Sequence, residues 1–173
     1  MVRVIERAFD GLATLLAWLM IGLAVLATSV LVLRYGFGLS TTAVQDAVIY
    51  LNAGLVMLGL SVTLLANAHV RVDVLSDRWP TPLQALRDLL GVIFLVLPML
   101  AVTAWHGWDY VARAWVMGEG SGDAGGLGGV YWFKSLILVG VALLFVAALV
   151  FAYRAFQVWR GEAQALPAQS HLS

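Results

Sequence analysis

The sequence lacks cysteine, has four prolines, and carries only ten Lys+Arg and ten Asp+Glu among 173 residues. Without cysteine there is no disulfide framework, no thiolate metal site and no cysteine nucleophile. A formal net charge of zero, with no basic excess, argues against a nucleic-acid-binding surface. The scarcity of charge excludes more. A water-soluble domain is about a quarter charged, whereas this chain is 12% charged and 62% hydrophobic. Too few ionic groups remain to cover a water-facing surface, and the solvent that fits is lipid.

Marking the charged residues and histidines exposes four long stretches without any. They run over 11–33, 47–68, 89–105 and 135–153, which is 23, 22, 17 and 19 residues. Crossing about 30 Å of hydrocarbon as a helix takes roughly 20 residues. A membrane strand needs only about 10, alternating apolar and polar, so these continuous runs predict helices rather than a barrel. The expected fold class is an all-α membrane protein with four transmembrane helices, at about 11–33, 47–68, 89–108 and 135–153. They form a single integral-membrane domain, 1–160, followed by a flexible cytoplasmic tail, 161–173. Pro98 lacks an N–H and should kink the third span. The first apolar run is longer than the 7 to 15 residues of a signal h-region, and Glu6 and Asp10 precede it, so it reads as a retained helix. With both termini cytoplasmic, the inner segments hold seven basic residues (Arg3, Arg7, Arg71, Arg78, Arg87, Arg154, Arg160) and the outer ones three (Arg34, Arg113, Lys134). The positive-inside rule favours that orientation.

Two helix starts are legible. Thr42-Ala43-Val44-Gln45 and Thr81-Pro82-Leu83-Gln84 have capping-box spacing, and Pro82 suits the first helical position. Between His106 and Lys134 lie eight glycines, an irregular outer connector rather than a phosphate loop, since no lysine stands where that loop requires one. Ahead of it, Trp105, Trp108, Ala112 and Trp115 recur at steps of 3, 4 and 3, which carries the third helix onward with an aromatic face toward lipid or a partner.

Chemistry is sparse. An ionisable residue at the centre of a span costs roughly 2.5 to 3.5 kcal/mol, so such residues are retained for function; the four apolar runs contain none. That argues against a small proton-coupled exporter and against a voltage sensor. His69 and His106 fall at opposite ends of their spans, about 30 Å apart, and cannot ligate one haem iron. Neither a catalytic triad nor a carboxylate pair nor a metal-ligand cluster is present, so no enzyme, cofactor or metal site is expected. In the second span Gln45, Asn52, Gly59, Thr63 and Ala66 share one stripe, with Asn67 beside it. Small and amide residues in lipid seek another helix, of this chain or of a partner. Asn67-Ala68-His69-Val70-Arg71-Val72-Asp73-Val74 is the densest polar cluster at a membrane boundary. It suits either an interfacial anchor or a contact with a larger membrane protein.

These residues resemble a known family, the small membrane subunit of tripartite ATP-independent periplasmic (TRAP) transporters, over roughly positions 5 to 160. The likeness lies in Arg34-Tyr35-Gly36-Phe37, in Gln45-Asp46, above all in the segment from Asn67 through His69, Arg71 and Asp73 to Val74, and in Trp115, Glu119, Gly125-Gly126-Leu127, Tyr131 and Lys134. The chain departs from the family where the second helix begins: Val44, Gln45 and Asp46 stand where a Trp and a Glu are common. The resemblance implies a scaffold in the bacterial inner membrane. Its partners would be a large elevator-type permease subunit, carrying the solute and sodium sites of a symport, and a periplasmic solute-binding protein. The resemblance makes Arg34, Gln45, Asp46, His69, Arg71, Asp73, Glu119 and Lys134 candidates for subunit or membrane-boundary contacts. The alternative, from another class, is a membrane-anchor subunit of an electron-transfer complex.

Overall fold

The computed structural model describes residues 2–39, 41–68 and 79–163. Among them are four helices and no strand: α1 Val2–Phe37, α2 Thr42–Leu65, α3 Thr81–Met117 and α4 Val130–Trp159. All four are long and apolar enough to cross a membrane. They exceed the uncharged stretches because charge marks where hydrocarbon ends, not where the helix ends. At 1.5 Å per residue, α1 and α3 are each about 54 Å long, well beyond a 30 Å core. Their ends therefore project past it or lie tilted within it. The segments holding His69, Arg71 and Asp73, and residues 164–173 of the expected tail, lie outside the described residues.

Helix punctuation differs from expectation in one respect. The residues before α2 and α3 are Thr41 and Pro80, each one position earlier than the capping boxes require, and neither donates or accepts a side-chain cap bond. Thr42 and Thr81 are already helical, so their hydroxyls are not placed at the cap. Gln84 instead donates to the Trp79 carbonyl at 3.0 Å. The α2 C-terminus closes with Asn67 in the left-handed region (φ 55°), its N–H on Leu64 O and that of Ala68 on Thr63 O. This is the Schellman arrangement, and Asn tolerates that conformation better than most side chains. Gly118 (φ 57°) ends α3 in the same way, with Glu119 N–H on Ala114 O.

The disturbance expected at Pro98 takes the form of a π-helical turn over Val92–Val96 just before it, with Leu97 N–H bonded to Val92 O. Proline cannot donate to residue 94 and its ring crowds that carbonyl; widening the preceding turn accommodates both without interrupting the helix.

α4 is the central element, packing on α2 and α3, while α1 packs chiefly on α2. Its buried seam is Leu144, Ala148, Phe151, Ala155 and Val158, steps of 4, 3, 4 and 3 that keep one face inward. Phe9, Leu64, Leu65, Ala85, Val92 and Leu100 meet that seam to form the main core, toward the Arg154 end of the bundle. Alanine at 147, 148 and 155 lets neighbouring backbones come close, as lipid-embedded helix contacts favour. Further along, Gly140 does the same: a Cβ there would lie 3.1 Å from Met57 O. The rest is bare. Only 6% of the most apolar window of α1 is buried inside the chain.

Candidate functional site

Ionisable groups gather at the two ends of the bundle. At one end the glycine-rich connector folds back over the first turns of α2. Asp46, five residues into that helix and buried, accepts the Leu127 N–H on Oδ2 at 2.9 Å. Ser121 N–H bonds Leu127 O at 3.0 Å, and Gly126 N–H bonds Asp123 O at 3.0 Å, so the loop is closed on itself as well as clipped to α2. Gly126 is required by space. A Cβ there would stand 2.3 Å from Ser121 Oγ and 2.6 Å from Asp46 Oδ2.

The two stems of the loop are joined by charge and by aromatic contact. Lys134 Nζ lies 2.6 and 2.5 Å from the two Glu119 carboxylate oxygens and 4.1 Å from the centre of the Tyr110 ring. Trp115 Nε1 donates to Ser135 Oγ at 2.8 Å, while its ring meets Tyr131 and Trp132 edge-on. Tyr50 of α2 stacks on Phe133 of α4 at 4.3 Å between centroids. Aromatic groups with a polar edge are at home at a membrane boundary.

At the opposite end one arginine ties three helices. Arg154 of α4 donates Nη1 to the Leu65 carbonyl at 3.1 Å, one of the unpaired carbonyls ending α2. Its Nη2 pairs with Glu6 of α1. A shallow cavity of about 280 Å³ opens beside the tie, lined by Glu6, Phe9, Asp10, Ala13, Val62, Leu65, Ala66 and Arg154.

The structure thus brings Asp46, Glu119 and Lys134 together around one loop; the remaining described candidates lie as follows. Gln45 lies half-buried beside Asp46 in the first turn of α2. Arg34 is exposed in the last turn of α1, 5.8 Å from the centre of the Tyr35 ring. Among the described residues the α2 stripe is only partly packed, with Gln45 and Gly59 half-buried. Asn52, Thr63 and Ala66 are exposed, and no atom lies within 4 Å of a Cβ at Gly59. The glycines of the α2–α4 contact are instead Gly54, whose Cβ would meet Leu136 Cδ1 at 3.2 Å, and Gly140. Asn67 is accounted for by the helix terminus it forms. As expected, Trp105, Trp108 and Ala112 face outward, and Trp115 does so in part.

Two functional groups escaped the sequence reading. Arg154 counted there only as one positive charge among seven. Leu127 contributes a backbone N–H, which no side-chain pattern announces. The signal available for Arg154 was its position as the first charge after the apolar run of the fourth span, where a long side chain can reach back to a neighbouring helix end.

No curated protein matches the chain. The profile of the family "Tripartite ATP-independent periplasmic transporters, DctQ component" matches residues 23–158, from within α1 to the last turn of α4. Four apolar helices and no strand among the described residues agree with a small multi-pass inner-membrane subunit, a component of a transporter rather than an enzyme. The chain belongs to the DctQ family and is a small membrane component of a TRAP transporter.

Proposed function

We propose that this chain is the fixed scaffold of its transporter. It would hold a large elevator-type permease in the inner membrane while an ion gradient, of sodium by family resemblance, drives uptake of an organic solute delivered by a periplasmic binding protein. One observation carries this reading: the ionisable groups of the described helices lie outside the long uncharged stretches, and several buried or half-buried ones, Asp46, Asp88, Lys134 and Arg154, are bonded within the chain. Asp46 holds a loop amide, Glu119 and Lys134 hold each other, and Arg154 holds Glu6 and a helix terminus. None is left at mid-span to bind a moving ion or a charged solute. Positive-inside arithmetic supports placing the Arg154 end and both termini in the cytoplasm and the glycine-rich loop outside.

Reconstitution tests the reading. Proteoliposomes holding this chain alone should show no gradient-dependent solute uptake. Those holding it with its permease and binding protein should. Uptake by the chain alone would assign the transport path to this subunit and remove the scaffold role.

A further inference from the structure

The outward face of α2 holds an unmet hydrogen-bonding group at membrane depth. α2 runs over 24 residues, about 36 Å, and Asn52 lies near its middle, about 15 Å from Thr42. The residue is exposed, and its amide bonds to no described residue. Its polar neighbours make no such demand. Thr63 Oγ1 bonds back to Gly59 O at 3.1 Å and Leu60 O at 3.0 Å, and Ser61 Oγ to Leu58 O at 2.7 Å. A threonine or serine can satisfy itself on its own helix in this way; the Asn52 amide does not.

Water can solvate such an amide at a protein surface, but hydrocarbon cannot, so an occupant must supply donors and acceptors at that depth. The surface around Asn52 also invites a helix. Ala53 is small and exposed, and a Cβ at Gly59, about two turns from Asn52, would meet open space. The exposed face of α3 differs. Phe94, Leu95, Met99 and Val102 carry no hydrogen-bonding side-chain group, so lipid chains cover them without loss.

We propose that the α2 face centred on Asn52, with Ile49, Ala53, Val56 and Gly59, seats a transmembrane helix of the large permease. That helix presents an amide or hydroxyl to Asn52. The occupant is the permease rather than a lipid because an acyl chain offers no partner to the amide. It is the permease rather than a second copy because the family is one of multicomponent transporters, in which this chain has another membrane protein to hold. This inference rests on the scaffold reading above.

The absence of native cysteine makes the test direct. Single cysteines are introduced as Val56→Cys on the α2 face and Leu95→Cys on the α3 face. Each is labelled with a short photocrosslinking maleimide in membranes that also contain the permease and binding protein. The expected result is an adduct of the size of this chain plus the permease from Val56→Cys and none from Leu95→Cys. Asn52→Leu should weaken retention of the permease in lipid nanodiscs about three- to twentyfold, with Asn52→Gln partly restoring it. A permease adduct from Leu95→Cys alone, a homodimer adduct from Val56→Cys, or no protein adduct from Val56→Cys would each overturn the assignment of the face. In those cases copurification of the complex through a tag on this chain would show that the scaffold reading survives. Loss of copurification with the unsubstituted chain would overturn the scaffold reading itself.

Discussion

Replacing Gly126 with alanine should release the outer loop while leaving the helical bundle intact. The new Cβ would sit 2.3 Å from Ser121 Oγ, 2.5 Å from Ser121 Cβ and 2.6 Å from Asp46 Oδ2. Rotating the serine hydroxyl away does not help, because its Cβ, fixed to the backbone, is itself too close. The loop must either move bodily or surrender the bond between Asp46 and Leu127 N–H. Forcing extra carbon into a filled site costs about 1–3 kcal/mol, and losing a buried hydrogen bond costs about the same. These are alternatives rather than a sum, since a loop that lets go also relieves the overlap. The expected effect is therefore about 1–3 kcal/mol on local opening, or roughly 5- to 150-fold faster exchange of the Leu127 amide hydrogen through a more populated opened state. Hydrogen exchange in nanodiscs, read on peptides covering 118–129, measures it. The melting temperature should change little, because the main core gathers toward the Arg154 end. Gly122→Ala is the control: nothing lies within 4 Å of a Cβ there and its φ is not in the left-handed region, so exchange should stay as it was. Unaltered Leu127 exchange in Gly126→Ala, or equal acceleration in Gly122→Ala, would refute the contact.

Asp46→Leu should accelerate exchange at Leu127 as Gly126→Ala does, whereas Asp46→Asn, which keeps an acceptor oxygen, should stay within a few-fold of the unsubstituted chain; the same exchange measurement separates them. Arg154→Met should lower the stability of the bundle by about 1.5–3 kcal/mol, the worth of a charged hydrogen bond to the Leu65 carbonyl. Glu6→Gln should do less, since the Glu6 side chain is 30% exposed and its carboxylate can rehydrate; intrinsic tryptophan fluorescence during thermal unfolding ranks the two. Arg71→Ala or Asp73→Ala should reduce copurification of the permease more than it alters solute affinity. Normal copurification from both would leave that segment an interfacial anchor only.

The four spans were legible because one physical variable fixes them: where charge is absent for about 20 residues, hydrocarbon can be crossed. That variable cannot set helix ends, since a helix continues into water as long as its backbone bonds hold. So α3 begins at Thr81 and closes at Gly118, well outside the uncharged 89–105. Pro98 announced a disturbance but not its form. The missing N–H is met by a π turn over Val92–Val96, a local rearrangement that the proline alone does not specify.

The sites divide along a similar line. Glu119 and Lys134 belonged to the resemblance, and the structure shows them as one ion pair across the stems of the loop. Asp46 was a candidate for contact with another subunit, yet its carboxylate is spent inside the chain on an amide 81 residues away. A long-range bond to a backbone group leaves no trace in residue spacing, because every non-proline residue offers the same N–H. The stripe on α2 shows the converse. Its residues were found by spacing, but spacing could not say whether the helix it faced was internal. Asn52 exposed, Thr63 satisfied on its own turn and Gly59 facing open space place that face outside the chain's own packing. Among the described candidates, Asp46, Glu119 and Lys134 are therefore bonded within the outer loop system, while the Asn52 amide on α2 is left facing outward.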